Sequence, residues 1–394
     1  MTAVDPRRNP YSPGAGRPPA ALVGRDAEMT EWAIRLDRIE GGLSIQPLAL
    51  YGLRGVGKTV LLTSMAKEAE SRDWVVAQIE AGTDKSLRAT LGEALYGPLS
   101  DLLRPSAGRR LLRALKTALS FKASYDSSGA WSFGLDLQDA PGGGADSGSL
   151  ETDLAKLVKD LSAAAAEAGV GLAILIDEAQ DLSQEELVAV CATAHKASQE
   201  GWAFLLCIAG LPSLPKDVAE AKSYAERLFA FHPITALPTQ SAGDALVVPA
   251  TRAGVRWAAA AVAFTVDEAR GYPYFLQQYG QEAWNNASGE VITILDAQVG
   301  IARGRTALDN GFFRARWDRA TKAEQGYLRA MAEDGDGGSA SGAVARRLHR
   351  KPASLGPARA SLISKGLVYA PEHGRIAFTV PGMADFIARQ PDPD

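Results

Sequence analysis

The residues with the most specific spacing for chemistry lie at 52–59, where the chain reads Gly-Leu-Arg-Gly-Val-Gly-Lys-Thr. This fits the pattern G-x-x-x-x-G-K-[ST], in which a glycine-rich turn lets backbone N–H groups cradle phosphate oxygens. Lys58 would reach the β- and γ-phosphates of a nucleotide, and the Thr59 hydroxyl would bind Mg²⁺. The binding residues expected from this pattern are Gly52, Leu53, Arg54, Gly55, Val56, Gly57, Lys58, Thr59 and Val60.

A second pair of residues suited to chemistry, Asp177 and Glu178, follows directly after the apolar run Leu172–Ile176. A run without polar residues is typical of a parallel strand that is buried on both faces. Ligands of open α/β sheets bind at the carboxyl ends of such strands. Asp177 would therefore hold Mg²⁺, and Glu178 would orient and deprotonate an attacking water.

The elements around these residues predict an α/β fold with a parallel sheet. A short apolar strand at 47–51 precedes the glycine-rich turn, a helix follows from Lys58 to Ser71, and a strand follows at 74–79. Strand, helix and strand at this spacing form a βαβ unit. Two later strands, 172–176 and 202–208, alternate with helices at 151–168 and 187–200, which extends the same pattern.

The composition pattern divides the chain of 394 residues into four parts. Residues 1–21 are rich in proline and predict a flexible arm. Residues 22–240 form the nucleotide-binding core, and a Gly/Ser/Asp-rich stretch at 120–149 is an insertion loop rather than a linker, since the βα pattern resumes after it. Residues 241–320 predict a helical lid. Residues 321–394 contain helices followed by a β-hairpin, the order of a winged helix-turn-helix.

The overall composition places the chain among globular proteins of the cytoplasm. Apolar residues make up 46% and charged residues 22%, and no apolar run is long enough to span a membrane. The N-terminus lacks the apolar segment of a secretory signal. Two cysteines, Cys191 and Cys207, are too few for a disulfide framework or a zinc site.

A basic segment at 344–376 stands out against the net charge of −4 for the whole chain, because its only acidic residue is Glu372. Such a segment indicates either a nucleic-acid-binding surface or a solvated helical face. A winged helix would bind double-stranded DNA through its second helix, although such domains also bind proteins. Without an Asn or Gln on that helix, DNA binding would not depend on sequence. The expected DNA contacts are Arg346, Arg347, Arg350, Lys351, Arg359 and Lys365.

The two phosphate-site motifs resemble Walker A and Walker B of the AAA+ ATPases, and the Orc1/Cdc6-like and archaeal/STAND-type members most of all. Gly24 and Arg25 lie in a segment similar to the entry motif of that group, which implies a place against the adenine. Pro273 follows Gly271 in a G-x-P motif like the one that begins a lid helix. Arg227 resembles an arginine finger, which implies contact with the γ-phosphate bound to a neighbouring subunit of a homo-oligomer. The alternative for Arg227 is an ordinary surface arginine.

This resemblance implies an ATPase in which Lys58, Glu178 and Arg227 are catalytic, and in which ATP hydrolysis drives a conformational switch that acts on DNA or on a DNA-bound partner. The chain departs from the family pattern twice. Leu211 follows the 202–208 strand where relatives place a polar residue, and the lid motif lacks an arginine unless Arg270 serves. These departures favour the alternative of a slow, nucleotide-gated switch that acts through protein partners. A small-molecule kinase fits the lid and winged helix poorly.

Overall fold

The computed structural model describes residues 4–82, 84–101, 109–123 and 143–391. These residues fall into two compact units. The sheet unit comprises residues 26–51 and 58–233, and the helical unit comprises residues 1–25, 52–57 and 234–394. Within the ranges described, no helix is long and apolar enough to cross a membrane. Residues 124–142 of the predicted insertion lie outside the described residues.

The sheet unit is built on five parallel strands in the order β2-β3-β4-β1-β5. The strands are β1 (Leu48–Tyr51), β2 (Val75–Glu80), β3 (Leu172–Asp177), β4 (Phe204–Gly210) and β5 (Ala230–Pro233). The helices are α1 (Asp26–Glu40), α2 (Lys58–Ser71), α3 (Leu87–Asp101), α4 (Arg109–Ala123), α5 (Leu150–Glu167), α6 (Gln184–Glu200), α7 (Leu214–Ala221) and α8 (Ala225–Leu228). Every residue of β3 and β4 is buried, as expected for central parallel strands.

This arrangement confirms the predicted α/β class and the parallel sheet of a P-loop core. The four strands named in the sequence analysis are all present, and α2 spans the predicted residues 58–71. The edge strand β5 was not predicted. It is four residues long, only partly buried, and ends in Pro233, so neither an apolar run nor an alternating pattern marks it.

In the helical unit, the chain after residue 234 first forms five helices, which correspond to the predicted lid region. They are α9 (Thr239–Arg252), α10 (Ala259–Ala269), α11 (Pro273–Asn286), α12 (Ile294–Ala307) and α13 (Arg314–Trp317). Two short parallel strands, β6 (Arg256–Trp257) and β7 (Val291–Ile292), pair between them. A π-helical turn at Leu308–Phe313 joins α12 to α13. Such turns are rare and shift the direction of the side chains that follow them.

The C-terminal module of the helical unit contains α14 (Lys322–Ala332), β8 (Ser339–Ala340), α15 (Ser341–Arg347), α16 (Gly356–Ser364), β9 (Val368–Tyr369), β10 (Arg375–Phe378) and α17 (Met383–Ala388). Its three strands form an antiparallel sheet in the order β8-β10-β9. The predicted helices and hairpin are therefore present in the predicted order. The pairing of β8 with β10 and the helix α17 were not predicted, since β8 is two residues inside a Gly/Ser-rich segment.

The described part of the N-terminal segment is packed, which differs from the flexible arm expected for residues 1–21. The Tyr11 side chain is 2% exposed, and its ring meets Trp257 and Trp284 edge to face. Its hydroxyl donates to the Leu246 carbonyl and accepts from Trp257 Nε1 at 2.8 Å. One aromatic anchor with both hydrogen bonds satisfied outweighs the polar, proline-rich composition of the segment.

Candidate functional site

The glycine-rich turn joins β1 to α2, and its glycines are required by its geometry. Gly55 has φ +87°, a conformation that L-residues with side chains rarely adopt. A Cβ at Gly55 would also lie 3.0 Å from Tyr272 Cε1. A Cβ at Gly52 would lie 2.1 Å from the Ile234 carbonyl oxygen, so any larger residue would displace the backbone.

Arg25 supports the glycine-rich turn from within the helical unit. Its Nη2 donates to the Val56 carbonyl at 3.0 Å and to the Thr235 carbonyl at 2.6 Å, and the residue is 7% exposed. The neighbouring Gly24 packs tightly, since a Cβ there would lie 2.6 Å from Ser241 Cβ. The sequence predicted that Gly24 and Arg25 lie against the adenine. The structure shows that Arg25 hydrogen-bonds to the backbone of the glycine-rich turn.

The predicted metal ligands lie together in the sheet unit. The Thr59 Oγ1 donates to Asp177 Oδ2 at 2.5 Å, although 118 positions separate the two residues in the sequence. Lys58 begins α2 and is 6% exposed, and Val60 follows in the first turn. Burial raises the pKa of the Asp177 carboxyl, and the hydrogen bond from Thr59 only partly offsets this effect. A buried carboxylate beside a hydroxyl is a pair of oxygen donors that suits Mg²⁺.

Glu178 lies directly after β3 in a left-handed backbone conformation, with φ 49° and ψ 40°. Its N–H donates to Asp177 Oδ1 at 2.9 Å, which ties the two carboxylate residues together. Gln180 Nε2 donates to Glu178 Oε2 at 2.6 Å, and Gln180 Oε1 accepts from the Leu211 N–H at 3.0 Å. Gln180 therefore links the Glu178 carboxylate to the end of β4.

Gln180 was missed by sequence reasoning. Two features of the sequence could have indicated its role. Gln180 is an amide side chain two residues after the Asp-Glu pair, and Leu211 stands where a polar side chain was expected. Ser213, two residues after Leu211, caps no helix with its side chain and hydrogen-bonds to Asp217 instead. The polar group that reaches the end of β4 is thus supplied by the segment after β3.

Pro273 occupies the first position of α11, as predicted, and Tyr272 is the residue before it. Tyr272 is 4% exposed, and its hydroxyl has no hydrogen-bond partner among the described residues. A Cβ at Gly55 would lie 3.3 Å from that hydroxyl oxygen. The start of α11 therefore packs directly on the glycine-rich turn.

Arg54 connects the same turn to the C-terminal module inside the helical unit. Its backbone N–H donates to the Thr379 carbonyl at 2.9 Å. A Cβ at Gly366 would lie 3.1 Å from Arg54 Nη2. Leu53 precedes Arg54 in this turn.

Arg270 is the only arginine beside the lid motif. Its side chain is largely exposed, and its Nη1 lies 4.0 Å from Asp336 Oδ2.

Arg227 lies in α8 with an exposed side chain. Its backbone carbonyl accepts a hydrogen bond from Gln46 Nε2 at 2.8 Å. Nothing in this position distinguishes a residue that acts on a neighbouring subunit from a surface arginine, so the finger role stays a prediction.

The basic segment separates into structural and exposed residues. Arg347 pairs with Asp334 and Glu333, and Lys365 Nζ pairs with Glu324 Oε2 at 2.6 Å. Arg359 donates to the Arg375 carbonyl at 3.3 Å. Of the six predicted DNA contacts, the exposed ones are Arg346, Arg350 and Lys351.

Two family models match the chain. Residues 21–208 match the AAA ATPase domain, and residues 310–387 match a domain family of unknown function, DUF8462. No curated protein matches the chain.

Among solved structures, a Walker-type ATPase of Pyrococcus abyssi is similar at 16% identity and a TM-score of 0.59, with 93% of this chain and 96% of that chain covered. Orc1 of Aeropyrum pernix, solved in complex with DNA, is 15% identical with a TM-score of 0.47 over 94% of this chain and 93% of that one. Cdc6p of Pyrobaculum aerophilum is 14% identical with a TM-score of 0.48 over 99% and 98%.

The likeness to the Pyrococcus ATPase agrees with the P-loop fold seen in the sheet unit. The family match covers the glycine-rich turn, both carboxylates that end β3, and Gln180. Residues 21–208 therefore match the AAA ATPase domain family, and the sheet unit has the α/β fold of a P-loop NTPase.

Proposed function

We propose that the protein binds ATP with Mg²⁺ through its P-loop and hydrolyses it to drive a conformational switch. The contact between Thr59 Oγ1 and Asp177 Oδ2 carries this proposal, because it joins the hydroxyl of one motif to the carboxylate of the other. Lys58 would bind the β- and γ-phosphates. Thr59 and Asp177 would hold Mg²⁺, which neutralises charge on the phosphate oxygens when bound.

Fewer protein ligands are expected for Mg²⁺ than for zinc, because Mg²⁺ keeps several of its waters. The described residues contain no group of three or more His, Cys, Asp or Glu side chains that could hold a metal. A bound cation would stabilise the charged form of the buried Asp177 carboxylate, which burial disfavours.

Glu178 is the proposed general base, since it follows the metal-binding carboxylate and its own carboxylate is held by Gln180. The alternative, a slow switch that signals through protein partners, is favoured by the lack of a polar side chain at Leu211. Arg227 is proposed to act on a neighbouring subunit of a homo-oligomer. This role is part of the proposal that the protein hydrolyses ATP, and not of the slow-switch alternative.

The proposed action on DNA rests on the C-terminal module, whose helices and antiparallel sheet support the prediction of a winged helix. The exposed cations are Arg346, Arg350 and Lys351, at the end of α15 and in the turn before α16. These side chains would bind phosphates, which gives affinity without sequence preference. Arg347 and Lys365 are excluded from this proposal because their charges stabilise the module.

The decisive experiment is steady-state ATP turnover by the wild type and by Glu178→Gln, each with and without duplex DNA. A DNA-coupled ATPase requires turnover that DNA stimulates and that Glu178→Gln abolishes. Tight ATP binding with negligible turnover in all four samples would instead establish the slow switch. An Arg350→Gln/Lys351→Gln variant should lose affinity for DNA and show a shallower salt dependence than Arg347→Gln, which keeps the exposed cations.

A further inference from the structure

The Tyr272 hydroxyl is the most unusual polar group beside the P-loop. It is buried, has no partner among the described residues, and lies 3.3 Å from the position of a Cβ on Gly55. An unsatisfied buried hydroxyl costs free energy that folding alone does not recover. Such a group therefore indicates a ligand that the hydroxyl contacts when bound.

Arg316 in α13 is a second unusual group in the same unit. The side chain is half-buried, its guanidinium lies 4.0 Å from the centroid of the Phe312 ring, and Nη1 donates to the Phe312 carbonyl. Phe312 in turn stacks on Tyr274 at 4.8 Å between ring centroids, and a Cβ at Gly55 would lie 3.3 Å from Tyr274 Cβ. A short chain of contacts thus leads from Arg316 to the P-loop.

Among the described residues, the groups that affect the charge of Arg316 are arginines and tyrosines, and no carboxylate is among them. Burial lowers the pKa of Arg316, and the positive charge of Arg54 lowers it further. The other groups that affect it are Tyr272, Tyr274 and Arg319, and no carboxylate in the described part of the chain forms an ion pair with it. A half-buried guanidinium beside a second positive charge is stabilised when an anion enters.

We propose that the Tyr272 hydroxyl and the Arg316 guanidinium bind the phosphate chain of the nucleotide on the α11 side of Gly55. This inference rests on the proposed function and adds two binding residues that the sequence motifs do not contain. The start of α11 supports it, because the helix begins at Pro273 beside the same turn and its N-terminal dipole favours negative charge. Arg270 is not suited to this role, since it is 74% exposed and lies near Asp336.

Tyr272→Phe separates ligand binding from structure. It removes a buried hydroxyl that has no partner, so the nucleotide-free protein should melt at the same temperature as the wild type or higher. Affinity for ATP should fall about tenfold, the usual scale for a lost hydrogen bond to a charged group. Tyr279→Phe is the matched control, because Tyr279 is equally buried in α11 but its hydroxyl bonds to Arg305. That variant should lose stability and keep its ATP affinity.

Arg316→Gln should weaken ATP binding by about tenfold or more, because an ionic contact is lost. Arg316→Lys should recover part of the affinity. Arg319→Gln is the control, since Arg319 is exposed three residues later and should leave affinity unchanged. The affinity for inorganic tripolyphosphate should fall by about the same factor as the affinity for ATP in the Tyr272→Phe and Arg316→Gln variants, since the proposed contact is to phosphate.

ATP binding by the P-loop and the phosphate contacts of Tyr272 and Arg316 can be tested separately. If the wild type does not bind ATP, the proposed function and this inference both fall. If the wild type binds ATP and Lys58→Ala does not, while Tyr272→Phe and Arg316→Gln bind as the wild type does, only this inference is overturned. A loss of ATP affinity with an unchanged affinity for tripolyphosphate would overturn it as well, because the contact would then be to the nucleoside.

Discussion

Glu178 has a strained backbone and a fixed carboxylate, and both follow from its neighbours. A left-handed conformation is costly for a residue with a side chain, and here the hydrogen bonds with Asp177 and Gln180 maintain it. Gln180 is itself fixed by the Leu211 N–H, so the position of the carboxylate depends on two adjacent strands. Gln180 is therefore a positioning residue for Glu178.

Gln180→Ala should lower the rate of ATP turnover about tenfold, because part of the general-base contribution depends on orientation. ATP affinity should stay unchanged, since within the described structure the side chain of Gln180 hydrogen-bonds to Glu178 and Leu211, and not to the P-loop or the proposed metal ligands. Steady-state kinetics with a separate binding measurement would test this. Gln184→Ala, at the start of α6, is the matched control and should behave as the wild type. A fall in ATP affinity with unchanged kcat would show that Gln180 acts elsewhere.

Asp177→Asn tests the proposed metal-binding role of this carboxylate, and the sign of its effect on stability can be predicted. Burial raises the folded-state pKa of Asp177, so ionisation destabilises the fold as the pH rises above the ordinary aspartate range. The neutral asparagine should therefore leave the melting temperature of the nucleotide-free protein unchanged or higher at pH 7. The increase in melting temperature that ATP gives with Mg²⁺ over ATP with EDTA should largely disappear. An equal Mg²⁺ effect in the variant would remove Asp177 from the metal site.

At this scale the sequence revealed residues inside motifs and missed residues that act through distant contacts. Lys58, Thr59, Asp177 and Glu178 were all identified from local patterns. Gln180 and Tyr272 owe their importance to Leu211 and Gly55, which no local pattern connects to them. Arg25 was identified, but its contact with the Val56 carbonyl depends on how the chain folds back.

Among the elements, α14 and α16 are joined by the ion pair between Glu324 and Lys365. Burial alone would raise the pKa of Glu324, but hydrogen bonds from Lys365, Ser361 and the Thr321 N–H outweigh it and lower the pKa to about 2. Glu324 also completes the capping box at the start of α14 with Thr321. The basic charge at Lys365 thus stabilises the C-terminal module.

The lowered pKa of Glu324 predicts acid sensitivity with a defined sign. Its contribution to stability is complete above pH 4.5, the ordinary value, and is lost as the pH falls toward about 2. Lys365→Met should therefore be less stable at pH 7 and lose less stability between pH 7 and pH 3 than the wild type. Melting curves at several pH values would check this, and parallel curves for the two proteins would contradict it.

Helices were predicted better than short strands because their patterns are longer. The residues of α2 agree at both ends, whereas α6 begins at Gln184, three residues before the prediction. Its start is set by Ser183 and Glu186, which form a capping box visible in the sequence. The strands β5 and β8 have four and two residues, too few for a periodic pattern, and only pairing with β1 and β10 defines them.

At the scale of the whole molecule, the helical unit contains both part of the P-loop and the C-terminal module. The hydrogen bond between the Arg54 N–H and the Thr379 carbonyl connects them directly. A change in the turn on nucleotide binding would therefore reach the module that carries the exposed cations. This is the physical basis for the proposed switch.

Two glycines of the module test this connection. Gly366 and Gly374 both have positive φ, so alanine at either position should destabilise the module by about 1 kcal/mol. Only a Cβ at Gly366 would meet Arg54, at 3.1 Å, whereas a Cβ at Gly374 would meet nothing. Gly366→Ala should change ATP affinity severalfold and Gly374→Ala should not. Equal affinities in both variants would argue against a link between module and P-loop.

Isothermal titration calorimetry of ATP into the purified protein tests most directly whether the P-loop binds ATP with Mg²⁺. The wild type should bind with micromolar or tighter affinity when Mg²⁺ is present. Lys58→Ala should lose this binding, while Lys67→Ala, an exposed lysine on the same helix, should keep it. A wild type that gives no binding heat at any temperature tested, or a Lys58→Ala variant that binds as tightly, would contradict the account.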